Sequence, residues 1–103
     1  ATQGWSHWTD IEDMLPGLYQ DYHRRKPIMV AETASVEQGG DKAQWIAHAH
    51  HMIENKYPDI AAFVYYNDED RSQPVYWCID SSADALSAFR SMARDKYFRR
   101  FAN

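Results

Sequence analysis

The sequence predicts an α/β chain ordered α, β, α, β, α, with its two strands parallel. Two apolar runs, "PIMVAE" and "IAAFVYYN", lack the alternation of a half-exposed strand, which is the pattern of strands covered on both faces in a parallel sheet. Between them lies a stretch with apolar residues at helical spacing, and a strand, helix, strand order makes a βαβ crossover unit. The 103 residues, 45% hydrophobic and 15% aromatic, favour a packed core over disorder. Residues 1–103 read as a single partial domain without linker, internal repeat or low-complexity segment.

The first helical segment lies in "SHWTDIEDMLPGLYQDYHRR", where Thr9 followed by Glu12 has the capping-box spacing and Pro16-Gly17 breaks the helix in two. "PIMVAE" is the first strand. The loop "TASVEQGG" leads to Asp41, a cap for a helix whose apolar positions are Trp45, Ile46, Ala49, Met52 and Ile53. Pro58 ends that helix, and the second strand runs into the polar cluster Asn67, Asp68, Glu69 and Asp70, read as the start of a long polar loop. Ser81, with Asp84 three residues on, opens the last helix, whose apolar side carries Leu86, Phe89, Met92, Ala93 and Tyr97.

Two strands do not make an independently stable sheet, because each has two faces to cover and an open edge. The chain therefore reads as incomplete, which its start without Met also fits. Apolar side chains on both faces and unpaired edges predict a homo-oligomer, preferably a dimer with an open four-stranded sheet, unless an upstream part of the same fold covers them.

Composition excludes some partners. A net charge of −4 without a basic block leaves no footprint for nucleic acid or for an anionic membrane surface. No apolar stretch approaches the ~20 residues of a membrane span. The single cysteine, Cys78, provides no disulfide framework or metal-ligand spacing and reads as a small core residue.

"KPIMVAETASVEQGGDKAQWIAHAHHMIENKYPDIAAFVYYND", followed by "WCIDSSADALSAFR", resembles the carboxyl-terminal end of glycoside hydrolase family 26, the retaining β-mannanase-type (β/α)8 barrels. The strand-end Glu with "SVEQGGDKAQWI" and the "WCIDSSADALSAF" segment are its most specific parts. The resemblance implies that residues 27–32 are strand seven, residues 60–67 strand eight, and residues 84–97 the closing helix. The chain would then be the last two βα units of a barrel that needs about 250 residues. It further implies a β-1,4-mannan or related β-glycan as substrate, no cofactor, and an extracellular parent enzyme.

The run ending on Glu32 makes that carboxylate the candidate of most interest. By itself a strand-end Glu is more often solvated or helix-capping. The resemblance implies that Glu32 is the catalytic nucleophile, placed where barrel active sites gather, at the carboxyl ends of the strands. The acid/base partner of a retaining glycosidase stands about 5–5.5 Å from the nucleophile. In this family it follows strand four, upstream of this chain, so the chain alone is expected to be inactive. Glu37 reads as a solvated loop charge, and neither it nor Glu69 substitutes for the acid.

Flat aromatic faces pack against the C–H faces of sugars. Trp5 and Tyr65 are the candidates for sugar contact, Tyr65 standing where relatives often have a Trp, while Trp8 and Trp77 read as structural and Trp45 as core. "HAHH" sets His48 and His51 three apart and pairs His50 with Glu54 at i, i+4. Helical histidines at such spacing can bind a metal, but no third ligand is evident, so the expectation is a solvated face and no native metal. The alternative to an enzyme part is a non-catalytic fragment that binds glycan through its aromatic loops or self-associates.

Overall fold

The computed structural model describes residues 10–70 and 75–99. Within them the chain is α/β, with a two-stranded parallel sheet packed on one face by helices.

Helix α1 (Ile11–Met14) is followed at once by α2 (Pro16–Tyr22), with Pro16 in the first turn of the second helix. The break falls where the sequence placed it, because proline lacks the N–H a continuous helix would use but is tolerated at a helix start. The cap lies one residue later than read. Asp10 occupies it, its N–H donating to Asp13 Oδ2 at 3.3 Å, and Thr9 lies outside the described residues. Glu12 is thereby free for Lys56, whose Nζ donates to Oε1 at 2.7 Å.

Strands β1 (Ile28–Thr33) and β2 (Ile60–Tyr65) pair in parallel through α3 (Lys42–Asn55). Asp41 caps α3 as expected, accepting the Gln44 N–H at 3.0 Å. Trp45, Ile46, Ala49 and Ile53 form the buried stripe of α3, with Met52 partly buried against it. They meet Ile11, Tyr57, Ile60, Ala85, Met92 and Tyr97 in one cluster, against which Ile28, Val30 and Phe63 of the strands pack.

The other face of the sheet is bare. Met29 is 60% exposed and Val64 45%, so the double-sided cover that unbroken apolar runs imply is supplied on one side only. Each strand also has a single neighbour among the described residues.

After β2, residues 69–70 and 75–76 depart from the reading of a plain polar loop. Strands β3 (Glu69–Asp70) and β4 (Val75–Tyr76) form an antiparallel pair. Two-residue strands rest on backbone pairing alone, so no side-chain alternation announces them.

Helix α4 (Ala83–Arg94) is capped by Ser82, which accepts the Ala85 N–H at 3.0 Å. Ser81, the expected cap, is used elsewhere. The helix stops before Asp95, and Tyr97, read as its last apolar position, sits on the 3₁₀ turn Lys96–Arg99. From there its hydroxyl donates to the Ile60 carbonyl and lies 3.0 Å from that of Pro58, tying the chain end to the start of β2.

Candidate active site

Parallel pairing brings the carboxyl ends of β1 and β2 to the same end of the sheet, and the register there is irregular. Val30 is opposite Phe63, but Thr33 is opposite Tyr65, so β1 carries one more residue than β2 over that interval. The extra residue is a bulge, a feature that breaks alternation and re-aims side chains. Its effect is visible in exposure: Ala31 and Glu32 are both exposed, although strict alternation would turn one of them towards the helices. Thr33 returns to the half-buried side with Tyr65.

Beyond Glu32 the chain folds inward. Ser35 and Val36 are buried, and the Tyr65 hydroxyl holds this loop by donating to the Ser35 carbonyl at 3.1 Å. The Tyr65 ring meets Phe89 of α4 edge-on, centroids 5.8 Å apart, and Lys42 Nζ lies 5.6 Å from its centroid. Burial pushes the Tyr65 phenol up to about 12, with the Ser35 backbone contact opposing the shift.

Lys42 is fully buried. Its Nζ donates to the Cys78 carbonyl at 2.6 Å and to Ser81 Oγ at 2.8 Å, and the Ser81 hydroxyl donates onward to Glu37 Oε1 at 2.7 Å. This line joins the loop after β1, the first turn of α3 and the segment before α4. Burial lowers the Lys42 pKa, while the negative charge of Glu37 leads the effects that oppose the shift. Ser35 Oγ, also buried, has no hydrogen-bond partner among the described residues.

The predicted site residues therefore separate. Glu32 stands exposed at the strand end, where the sequence placed it. Tyr65 lies on the helix side, its hydroxyl committed to the loop. Its neighbour Tyr66 is 40% exposed, its N–H donating to the Thr33 carbonyl at 2.7 Å and its hydroxyl to Asp68 Oδ2 at 3.0 Å. Trp5 and Trp8 lie outside the described residues, Trp77 is half-buried, and Trp45 is core as expected.

Two readings change. Glu37 is bound to Ser81 rather than left as a solvated loop charge. Cys78 is half-buried rather than core, and it is its carbonyl that is used.

The Lys42–Ser81–Glu37 line is absent from the sequence reading, which also prefers Trp5 and Tyr65 to Tyr66 among several strand-end aromatics. One signal for the line was present: a lysine in the first turn of a helix opposes the helix dipole, so Lys42 required some other employment. The histidines also part company. His48 Nε2 lies 3.6 Å from Glu12 Oε2, and His51 Nδ1 is 3.2 Å from Asn55 Nδ2. His50 is half-buried rather than on a solvated face, its Nε2 2.7 Å from Asp95 Oδ2.

No family model matches the chain. Over 92 residues, 87% of its length, it is 37% identical to Endoglucanase H of Acetivibrio thermocellus. The aligned region is 10% of that protein, so the chain spans about a tenth of this relative's length. The similarity ties the chain to part of a glycoside hydrolase.

Proposed function

We propose that the chain is the carboxyl-terminal part of a retaining endo-β-glycosidase of the (β/α)8 barrel type, with Glu32 as its nucleophile. The observation that carries this reading is the exposed Glu32 on a bulge at the carboxyl end of a parallel strand, in a chain that resembles glycosidases. Ionised Glu32 attacks the anomeric carbon. As that bond forms, the glycosidic C–O bond breaks and the leaving oxygen takes a proton from the acid/base carboxyl of the upstream part. Water, deprotonated by the same carboxyl, then hydrolyses the glycosyl-enzyme ester and restores Glu32.

Within the chain, Tyr65 and the Lys42–Ser81–Glu37 line hold the loop that follows the nucleophile. Sugar contact falls to Trp5 and to Tyr66, which is 40% exposed, rather than to Tyr65, whose ring and hydroxyl are engaged on the helix side. The substrate is a β-glycan: the relative's name, endoglucanase, supports a glucan, and the family 26 resemblance supports β-1,4-mannan. The upstream barrel part covers the bare face of Met29 and Val64.

In the complete barrel, Glu32→Ala abolishes hydrolysis with the fold intact, and azide restores turnover while yielding a glycosyl azide. Wild-type rates in the variant overturn the assignment. Assays on mannan, xylan and mixed-linkage glucan, with and without the upstream part, decide the substrate; turnover by the chain alone overturns the placing of the acid upstream. The bare face also favours a second reading, a self-associating fragment without catalysis. Sedimentation equilibrium tests it: a stable 12.1 kDa monomer removes it.

A further inference from the structure

The strongest cluster of ligating groups away from the strand ends is formed by His50 and Glu54 of α3 with Asp95, the residue between α4 and the 3₁₀ turn. Helix geometry puts His50 and Glu54 on one face, four residues apart. The end of α4 adds the third member, 45 residues away in sequence.

His50 Nε2 lies 2.7 Å from Asp95 Oδ2 and 3.6 Å from Glu54 Oε2, and one ligand atom from each of the three residues falls within 4.8 Å of the others. A tetrahedral zinc with N and O ligands at about 2.0–2.2 Å holds those atoms roughly 3.3–3.5 Å apart. The His50–Asp95 distance is about 0.6 Å shorter than that separation and the His50–Glu54 distance slightly longer, so an ion would part the first pair and draw Glu54 in by rotamer adjustment.

Two further observations point to a cation. Glu54 and Asp95 each bring a carboxylate oxygen within 4.8 Å of the other, an arrangement in which two like charges repel unless a positive charge stands between them. Arg94 and Lys96 flank Asp95 in sequence, yet among the described residues neither carboxylate forms an ion pair with a Lys or Arg, and both meet the His50 imidazole instead. Asp95 is also held from behind, because the Tyr97 N–H donates to its Oδ1 at 2.8 Å and leaves Oδ2 facing His50. Outer hydrogen bonds of this kind orient the ligands of metal sites. The site is partly sheltered, with side-chain exposures of 19% for His50 and 22% for Asp95.

We propose that His50, Glu54 and Asp95 form a divalent-cation site, best suited to Zn²⁺, that clamps the carboxyl end of α4 to α3. An imidazole with two carboxylates suits zinc better than the all-oxygen shells of calcium or magnesium. The fourth position is open to water. In the zinc form His50 is neutral at Nε2, and the imidazole–carboxylate contact becomes a pair of neighbouring ligands. His48 and His51 take no part.

Calorimetric titration of the chelator-treated full chain with zinc chloride at neutral pH tests this. One equivalent is expected to bind with a dissociation constant below about 10 μM, and Co²⁺ in its place is expected to show the visible band of a low-coordinate site. His50→Gln and Asp95→Asn are each expected to weaken binding about 10–100-fold. Glu54→Gln, on an exposed side chain that carries no fold risk, is expected to weaken it about 10-fold. His48→Gln and His51→Gln are expected to leave it unchanged. Absence of a one-to-one complex at 100 μM zinc overturns the proposal. So does equal weakening by His48→Gln or His51→Gln, which would mean adventitious binding by surface imidazoles only.

Discussion

The two faces of the β1–β2 sheet are made by the same strands, yet they have different fates. On one, Ile28, Val30, Ile60 and Phe63 close against Trp45, Ile53 and Met92. On the other, Met29 and Val64 remain exposed. Apolar character along a strand therefore does not by itself say which face is covered, and here only one of the two is. Burial energy belongs to the covered face, while Met29 and Val64 on the other face stay open.

The largest expected difference between the faces is in stability. Trp45→Ala, in the covered core, is expected to cost about 3–5 kcal/mol, whereas Met29→Ser is expected to stay within about 0.5 kcal/mol. Urea denaturation of both variants checks this. An equal cost would mean that Met29 is covered in solution, the result a dimer through this face would give, so the measurement belongs at several protein concentrations.

Next is Lys42, which serves the covered side through hydrogen bonds rather than apolar area. Lys42→Met preserves most of the stem but leaves the Cys78 carbonyl and the Ser81 hydroxyl short of a donor, and is expected to cost about 1–3 kcal/mol by the same assay. A neutral outcome would show that removing a buried charge offsets the lost bonds.

Tyr65→Phe removes the phenol that holds the Ser35 carbonyl, with an expected cost of about 0.5–1.5 kcal/mol. Its pH signature is sharper. The folded pKa of about 12 lies above the ordinary 10.0, so the unfolded chain loses this proton first. The contribution is full below pH 10 and falls as pH rises from 10 to 12. Lys42 acts in the opposite sense: its lowered pKa makes stability rise with pH in the window below 10.5. Absorbance titration should show a late-ionising phenol that is missing in Tyr65→Phe.

The smallest expected effects are at exposed ion pairs. Lys56 lowers the Glu12 pKa below 4.5 by a hydrogen bond and its charge, so this pair's contribution is present above pH 4.5 and lost as pH falls through the depressed value. With both partners solvated, Lys56→Met should scarcely move the urea midpoint at neutral pH.

The sequence by itself determined the order of the main helices and the two long strands, the broken first helix, the Asp41 cap, the buried stripe of α3 and the parallel pairing of the two apolar runs. These follow from local rules: proline's missing donor, a cap three residues from its N–H, a helical period of 3.6, and apolar runs without alternation. It also brought Glu32 to a strand end, because the apolar run stops there. Tertiary structure alone decided the rest. The bulge that leaves Ala31 and Glu32 both exposed is a mismatch between two strands, which neither strand states. Ser81 was lost as a helix cap because Lys42, 39 residues away, claims its hydroxyl. His50 left the solvated face because Asp95 meets it from the end of another helix, and a contact across 45 residues has no period for a sequence to display.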